Sequence, residues 1–170
     1  MASLNIGADE STTIRAVAAA VRDKRVRASD IVIRALELIA RHNPAINAVV
    51  ALRSDEALAD AELLDRQLAE GVSPGRLAGV PVLVKDLEDV EGMVTTKGSS
   101  LFADALPATQ NGLVPSRLRA ADAIIVGKTN LSEFATEAYT ANLLHGATIN
   151  PWNAALSPGG SSGGSAAALA

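Results

Sequence analysis

A lysine at the end of an apolar stretch is the first residue whose position could support chemistry. Lys85 follows three alternating valines, Val80, Val82 and Val84, and precedes Asp86. Ligand sites of α/β sheets lie at the carboxyl ends of the strands. Burial there would lower the pKa of the lysine, so that its neutral amine could act as a base. From this residue alone, a non-catalytic role is favoured, in which a lysine at the end of a strand reaches water or pairs with Asp86.

A Gly/Ser-rich segment, SPGGSSGGSAAALA, spans residues 157–170 and carries hydroxyls at Ser161, Ser162 and Ser165. Such a composition is also typical of a flexible linker. A linker, however, does not need the alanine-rich, helix-forming run that follows. A Gly/Ser loop that enters a helix offers free backbone N–H groups to an anion or oxyanion. Together with Lys85, the segment favours a serine hydrolase in which lysine replaces the histidine of a catalytic triad.

Neither histidine has the sequence surroundings of a catalytic residue. His42 falls in the last turn of a predicted helix, where a cation suits the helix dipole. His145 lies in a predicted loop and has no acidic neighbour in the sequence. Because neither accompanies a nucleophile-elbow motif, we predict structural roles for both.

The motif VGKTN, residues 126–130, invites comparison with a phosphate-binding loop because it follows an apolar stretch. The Walker pattern needs a glycine five residues before the second glycine, and that position holds Asp122. The motif is therefore interpreted as a turn at the end of a strand. Thr129 or Asn130 is expected to cap a short helix over residues 131–135.

The composition indicates a single folded domain and excludes several classes of function. The chain has 170 residues, of which 48% are apolar, and its mean hydropathy is +0.21. A net charge of -4 and only four aromatic residues argue against nucleic-acid binding. The absence of cysteine excludes disulfides and zinc–thiolate sites. We find no membrane-spanning stretch or signal peptide and expect a cytoplasmic protein without a membrane partner.

Helical periodicity alternates with short apolar stretches along the chain, which predicts an α/β fold with a mixed, largely parallel sheet covered by helices. We expect Ser29 and Ser54 to cap helices, and Pro44 and Gly71 to end them. Loops over 87–111 and 136–160 are long enough to be functional. The predicted helices span residues 11–22, 28–43 and 54–71, with a short fourth helix after residue 112, and the predicted strands span 46–52, 78–86 and 123–126.

Four segments together resemble the amidase signature family. They are GVPVLVKD (79–86), TTKGSS (95–100), GKTNLSEFA (127–135) and NPWNAALSPGGSSGGSAAALA (150–170). Their order and spacing also match the family, and the resemblance covers the chain from about Asn47 onward. The last segment is the most specific of the four.

This resemblance implies amide-bond hydrolysis by a Ser–cisSer–Lys triad, without a cofactor or metal. Lys85 matches the catalytic lysine, and Ser161 matches the bridging serine, whose bond to Gly160 is cis in the family. Neutral Lys85 would draw a proton from the attacking serine through Ser161 and return it to the leaving amine. The family's substrate pocket is lined by the residues that match Phe134, Ala135 and Thr136. Its site-supporting turn matches Gly159, Gly160, Ser162, Gly163 and Gly164.

The nucleophilic serine and the oxyanion hole of the family lie in a later glycine-rich segment. The resemblance therefore implies that residues 1–170 are the N-terminal part of a single amidase signature domain, truncated before that segment. Ser162 and Ser165 match positions that serve the turn and the helix. On this basis the chain alone is expected to be inactive.

Residues 136–152 resemble the corresponding segment of a stand-alone amidase, which implies a small-molecule amide as substrate. Whether the full-length enzyme forms a homo-oligomer is left open. The nearest alternative is the A-type subunit of a glutamine-dependent tRNA amidotransferase. A non-catalytic short protein that keeps the fold as a binding surface is a third hypothesis.

Overall fold

The structure is a computed structural model that describes residues 13–170. The predicted helix start at residues 11 and 12 lies outside the described residues. The helices are α1 (Ile14–Arg22), α2 (Ala28–Ile46), α3 (Ser54–Ala69), α4 (Leu113–Ala120) and α5 (Gly163–Leu169). The strands are β1 (Val49–Leu52), β2 (Pro81–Lys85), β3 (Ile124–Thr129), β4 (Ala141–Asn142) and β5 (Gly146–Ala147). Short 3₁₀ turns occupy Ser100–Phe102 and Glu133–Ala135.

Strand β3 lies at the centre of a three-stranded sheet with the order β1–β3–β2. It runs parallel to β2 and antiparallel to β1. Strands β4 and β5 form a separate antiparallel ribbon within the second long loop. The predicted α/β fold with a mixed sheet is thus confirmed.

Apolar side chains cover both faces of the sheet. Helices α1, α2 and α3 bury one face in a core that includes Val21, Val32, Leu64, Ile124 and Val126. The loop after β2 and helix α4 cover the other face, where Val84, Val90, Met93 and Ile125 cluster. Because each face is packed, the carboxyl end of β2 is held between two layers, and that end carries Lys85.

The prediction that Pro44 ends α2 is wrong. The helix continues to Ile46 and ends where Asn47 adopts a left-handed conformation, with φ of 49°. Proline removes one backbone donor, but its fixed φ is itself helical, so a single proline close to a helix end is tolerated. The side chain of Asn43 accepts hydrogen bonds from the next two backbone N–H groups after Asn47, at 2.9 and 2.8 Å. Asn43 therefore stabilises the chain reversal between α2 and β1.

The predicted serine caps are also wrong. Ser29 is the second residue of α2, and the first two N–H groups of that helix donate to the carboxylate of Asp65 in α3, at 2.7 and 3.1 Å. The cap is thus supplied by another helix rather than by the local sequence. Ser54 is the first residue of α3 and makes no capping bond. The end of α3 is close to the prediction, because the helix stops at Ala69 and Gly71 follows with φ of 86°.

Strand β3 extends three residues beyond its predicted end and includes Gly127, Lys128 and Thr129. The Gly-Lys-Thr motif is therefore strand rather than the predicted turn. Thr129 and Asn130 do not cap a helix: Thr129 Oγ1 lies 2.7 Å from Ser165 Oγ, and the Asn130 amide donates to a carbonyl of β5 at 3.2 Å.

A bulge in β3 decides which face the last residues of the strand occupy. The pairing register with β2 slips at Val126, which is an extra residue on β3. The bulge breaks the alternation of side chains between the two faces. As a result, Lys128 lies on the face covered by the loop after β2, and Thr129 lies on the face covered by α5.

Gly127 is required where β3 passes close to β1, because a Cβ at this position would collide with the carbonyl oxygen of Ala51. We expect Gly127→Ala to reduce the free energy of unfolding by about 1–3 kcal/mol, the range for overpacking a tight site. Chemical denaturation measures this loss. Gly112→Ala is the matched control, since its Cβ would meet only ordinary contacts at 3.5 Å or more. Equal stability of the two variants would contradict the prediction.

Candidate active site

The side chain of Lys85, the last residue of β2, points towards the Gly/Ser-rich segment. Its Nζ lies 2.6 Å from the Oγ of Ser161, within hydrogen-bonding distance. Both residues are half-buried. The structure thus brings together two residues that are 76 positions apart in the sequence.

The Gly/Ser-rich segment is an ordered turn packed against the 139–140 region. The Gly160–Ser161 peptide bond is cis, which confirms the geometry expected from the family resemblance, and Gly159 has a left-handed φ of 82°. The hydroxyl of Thr140 donates to the Gly159 carbonyl at 2.9 Å and accepts from the Gly163 N–H at 2.8 Å. The linker interpretation of this segment is therefore wrong.

The glycines of this turn are dictated by close packing. A Cβ on Gly160 would collide with the backbone of Tyr139, and one on Gly163 would collide with the side chain of Thr140. Gly164, the second residue of α5, would meet the backbone of Asn130. Only glycine lets the turn approach these residues closely enough to present Ser161 to Lys85.

The electrostatic environment of Lys85 favours a neutral amine. Burial lowers the pKa of Lys85 below the ordinary value of 10.5. Among the described residues, Lys85 forms no ion pair, because the neighbouring Asp86 pairs with Lys128 instead. The proposed pairing of Lys85 with Asp86 is therefore wrong. A neutral amine in contact with a hydroxyl can accept its proton, which is the chemistry expected of a general base.

Asp86 points to the opposite face of the sheet from Lys85 and lies in a buried polar cluster. Lys128 Nζ lies 3.1 Å from Asp86 Oδ1, and both side chains are almost completely buried. The backbone N–H and the hydroxyl of Thr96 both donate to Asp86. Burial raises the pKa of Asp86, but the contacts with His145 and Thr96 and the charge of Lys128 outweigh it, so the pKa lies below its ordinary value. Sequence reasoning missed this cluster because it assigned Lys128 to a turn.

The two histidines lie apart from the Lys85–Ser161 contact. His145 Nε2 is 3.1 Å from Thr96 Oγ1 and 3.8 Å from Asp86 Oδ2, so it has an acidic neighbour in space that the sequence does not reveal. His42 lies on the exposed side of α2. Structural roles for both remain our prediction.

The hydroxyls of Ser162 and Ser165 make no hydrogen bond to Lys85 or to the Ser161 side chain. Ser162 is exposed, and its side chain does not cap α5. Ser165 is on α5, and its hydroxyl bonds to Thr129 of β3. These positions agree with the expected roles in the turn and the helix.

The segment expected to line the substrate pocket forms a tight turn after β3. Phe134 and Ala135 both have left-handed φ values, 51° and 59°, and Thr136 is exposed. The ring of Phe134 is 41% exposed and meets the ring of Phe102 edge to face, with 6.0 Å between their centres. The Phe134 N–H donates to the Lys97 carbonyl at 2.8 Å, which ties this turn to the loop after β2.

Neither a metal centre nor a transmembrane helix is found in the described part of the chain. Within residues 13–170, no group of three or more His, Cys, Asp or Glu side chains is arranged to hold a metal ion. None of the helices there has both the length and the apolar character needed to cross a bilayer.

Comparisons with known proteins agree on one family. The model of the amidase family matches residues 30–170. A curated relative, the A-type subunit of the glutamyl-tRNA(Gln) amidotransferase of Cyanothece sp., is 45% identical over 147 residues, which cover 86% of this chain and 30% of the relative. The chain thus spans about a third of the length of the curated relatives it matches.

Solved structures give the same fold. A bacterial aryl acylamidase of the amidase signature enzymes matches with a TM-score of 0.86 and 32% identity, over 90% of this chain and 32% of that one. The peptide amidase of Stenotrophomonas maltophilia matches with a TM-score of 0.83 and 32% identity, over 94% of this chain and 34% of that one. Enzymes named as amidases therefore share the fold described above.

Proposed function

We propose that this chain, which belongs to the amidase family, supplies the general base and the proton-transferring hydroxyl of an amide-hydrolysing site. Lys85 is the base, and Ser161 is the hydroxyl. The observation that carries the proposal is the 2.6 Å contact between Lys85 Nζ and Ser161 Oγ. It is supported by the burial that lowers the pKa of Lys85 and by the close packing of the turn that presents Ser161.

The proposed reaction is a two-step acyl transfer. A nucleophilic serine attacks the amide carbonyl carbon while its proton passes to Ser161 Oγ, and the Ser161 proton passes to Lys85 Nζ. The same path in reverse protonates the leaving nitrogen, so that the C–N bond breaks and ammonia or an amine departs. Water then attacks the acyl ester, with Lys85 again accepting a proton through Ser161. The ester C–O bond breaks as that proton returns to the nucleophilic serine, and the acid is released and ionises to a carboxylate.

We propose that the nucleophilic serine and the oxyanion donors come from polypeptide outside these 170 residues. Among the described residues, Ser162 and Ser165 make no hydrogen bond to Ser161 or to Lys85. The chain is thus proposed to be the N-terminal part of a larger amidase domain. The substrate is proposed to be a small amide, held in part by Phe134, Ala135 and Thr136.

A second candidate function is suggested by the curated relatives. The chain is 39–45% identical to proteins named as the A-type subunit of glutamyl-tRNA(Gln) amidotransferase. On this candidate the same triad would hydrolyse glutamine and pass ammonia to a tRNA-linked partner. The full-length protein should be assayed for ammonia release from simple carboxamides and from glutamine. Release from carboxamides without other subunits favours the stand-alone amidase, whereas release from glutamine only with partner subunits favours the second candidate.

Ser161→Ala in the full-length protein is expected to lower kcat for amide hydrolysis by roughly 10²–10⁴-fold, because it removes the path of proton transfer to Lys85. Steady-state assays of ammonia release measure the loss. Ser73→Ala is the control, since its hydroxyl is exposed and lies outside every segment assigned to the site. Equal activity of the Ser161 variant and the unchanged protein would remove Ser161 from the mechanism.

A further inference from the structure

A buried ion pair on the opposite face of the sheet from Lys85 has no part in the proposed reaction. Lys128 is completely buried, and its Nζ is bonded to three acceptors. These are Asp86 Oδ1 at 3.1 Å, the Val94 carbonyl at 2.7 Å and Thr95 Oγ1 at 2.7 Å. An ammonium group has three N–H donors, so each of them has a partner.

These contacts fix the residue that follows Lys85. Lys128 and Thr96 hold the side-chain carboxylate of Asp86. The backbone is held as well: the Asp86 N–H donates to the Thr129 carbonyl, and the Asp86 carbonyl accepts from the Lys97 N–H, both at 3.0 Å. Asp86 directly follows β2 and still pairs with β3 through its N–H, so its side chain and that of Lys85 point to opposite faces. With Asp86 held on the loop face, Lys85 must point to the face where Ser161 lies.

The same pair fixes the segment that supports the proposed substrate-lining turn. Lys128 and Asp86 bind residues 94–96, and the next residue, Lys97, accepts the hydrogen bond from the Phe134 N–H. The Lys128–Asp86 pair therefore holds both the end of β2, which carries the base, and the segment that supports this turn. The bulge at Val126 creates this pair, because it turns Lys128 towards the loop face.

We propose that Lys128 and Asp86 are positioning residues that hold Lys85 against Ser161 through the end of β2. This inference rests on the proposed function, in which Lys85 is the base. Replacing only one of the two residues would leave the other charge buried without a partner. This would destabilise the protein whether or not the pair positions Lys85. The informative change is the double variant Lys128→Met/Asp86→Leu, which replaces both charged side chains by apolar side chains of similar size.

The first readout does not require turnover. Full-length protein is treated with acetic anhydride over a range of pH, and the acetylated fraction of Lys85 is followed by peptide mass spectrometry. In the unchanged protein, burial lowers the pKa of Lys85, so its labelling midpoint should lie below that of an exposed lysine. Among the described residues, Lys85 touches the Ser161 hydroxyl and forms no ion pair, so hydration governs its midpoint.

In the double variant, the end of β2 loosens and water reaches Lys85, so the midpoint should rise by about one pH unit. Amide hydrolysis should fall roughly 10²-fold, as expected when a catalytic group is displaced by about 1 Å. An unchanged midpoint and rate in a folded double variant, as judged by circular dichroism, would overturn the proposal.

A matched control is another ion pair beside β3. Arg53 is bonded to Asp60 at 2.9 Å and to the Ile125 carbonyl at 3.0 Å, and its side chain is 9% exposed. Arg53→Met/Asp60→Leu should leave the labelling midpoint of Lys85 and the rate unchanged. If this control shifts both as strongly as the Lys128/Asp86 variant, the effect is general loosening and the proposal fails.

If the double variant does not fold, Thr96→Val provides the test, because it removes one donor to Asp86 and keeps both charges. It should raise the midpoint in the same direction by a smaller amount, and no shift would overturn the proposal. A midpoint typical of an exposed lysine in the unchanged protein, with no hydrolysis, would instead reject the proposed function and this inference with it.

Discussion

Lys85→Ala in the full-length protein is expected to reduce kcat for amide hydrolysis by about 10⁴–10⁶-fold, the loss seen when a member of a catalytic triad is removed. The proposed mechanism passes every proton through Lys85, and among the described residues no other side chain is hydrogen-bonded to Ser161. Its Nζ contacts only Ser161 among the hydrogen bonds of the described side chains. Circular dichroism should show an intact fold, because the strand-end side chain is only half-buried.

Two further variants separate the possible causes of that loss. Lys85→Arg keeps a positive charge but cannot give a neutral base near neutral pH, so it should be nearly as inactive as the alanine variant. Lys24→Gln changes an exposed lysine between α1 and α2 and should be fully active. Activity of Lys85→Ala within tenfold of the unchanged protein would exclude Lys85 as the base.

The pKa of Lys85 also sets the direction of the pH dependence. Burial lowers this pKa, and the neutral amine is the active form. Activity should therefore rise with pH as Lys85 loses its proton, and this rise should occur below the pH at which an ordinary lysine titrates. A pH–rate profile of kcat/KM measures it. A rise only at the ordinary pKa of lysine would mean that the amine is not buried in the working enzyme.

The two proposed reacting groups of this chain could be selected from the sequence because each stands in a distinctive local pattern. Lys85 ends an alternating valine stretch, and Ser161 follows two glycines in a segment with a helix behind it. The cis bond at Gly160 was expected only from the family resemblance. Neither local pattern gives the distance between the two groups, which depends on how α5 packs beside β2 and β3.

The features that the sequence did not reveal depend on contacts between distant segments. The cap of α2 is a carboxylate from α3, Asp65, which no local pattern predicts. The face occupied by Lys128 depends on a single extra residue, Val126, in the pairing of β3 with β2. A one-residue slip exchanges the two faces of a strand. Simple alternation along β3 therefore does not predict that Lys128 faces Asp86.

The isolated 170-residue chain is expected to show no amide hydrolysis above the uncatalysed background. The proposed reaction needs a nucleophile and oxyanion donors, and losing a single such donor costs about 10²–10³-fold in rate. Among the described residues, the hydroxyls of Ser162 and Ser165 make no hydrogen bond to Lys85 or Ser161, so neither is placed to lose its proton to this pair. Ammonia release from a simple carboxamide, compared with the full-length protein, measures the difference.

The same chain should self-associate, despite its net charge of -4. Strand β2 has one neighbour in the described sheet, so its other edge is free to pair with a second molecule. An apolar groove of about 490 Å³ also lies between α2 and α5, where Leu83 and Ala167 are among its lining residues. Size-exclusion chromatography tests this expectation. A monomeric chain that hydrolyses the carboxamide, and loses that activity on Ser162→Ala or Ser165→Ala, would place the nucleophile within these residues and overturn the proposed division of the site.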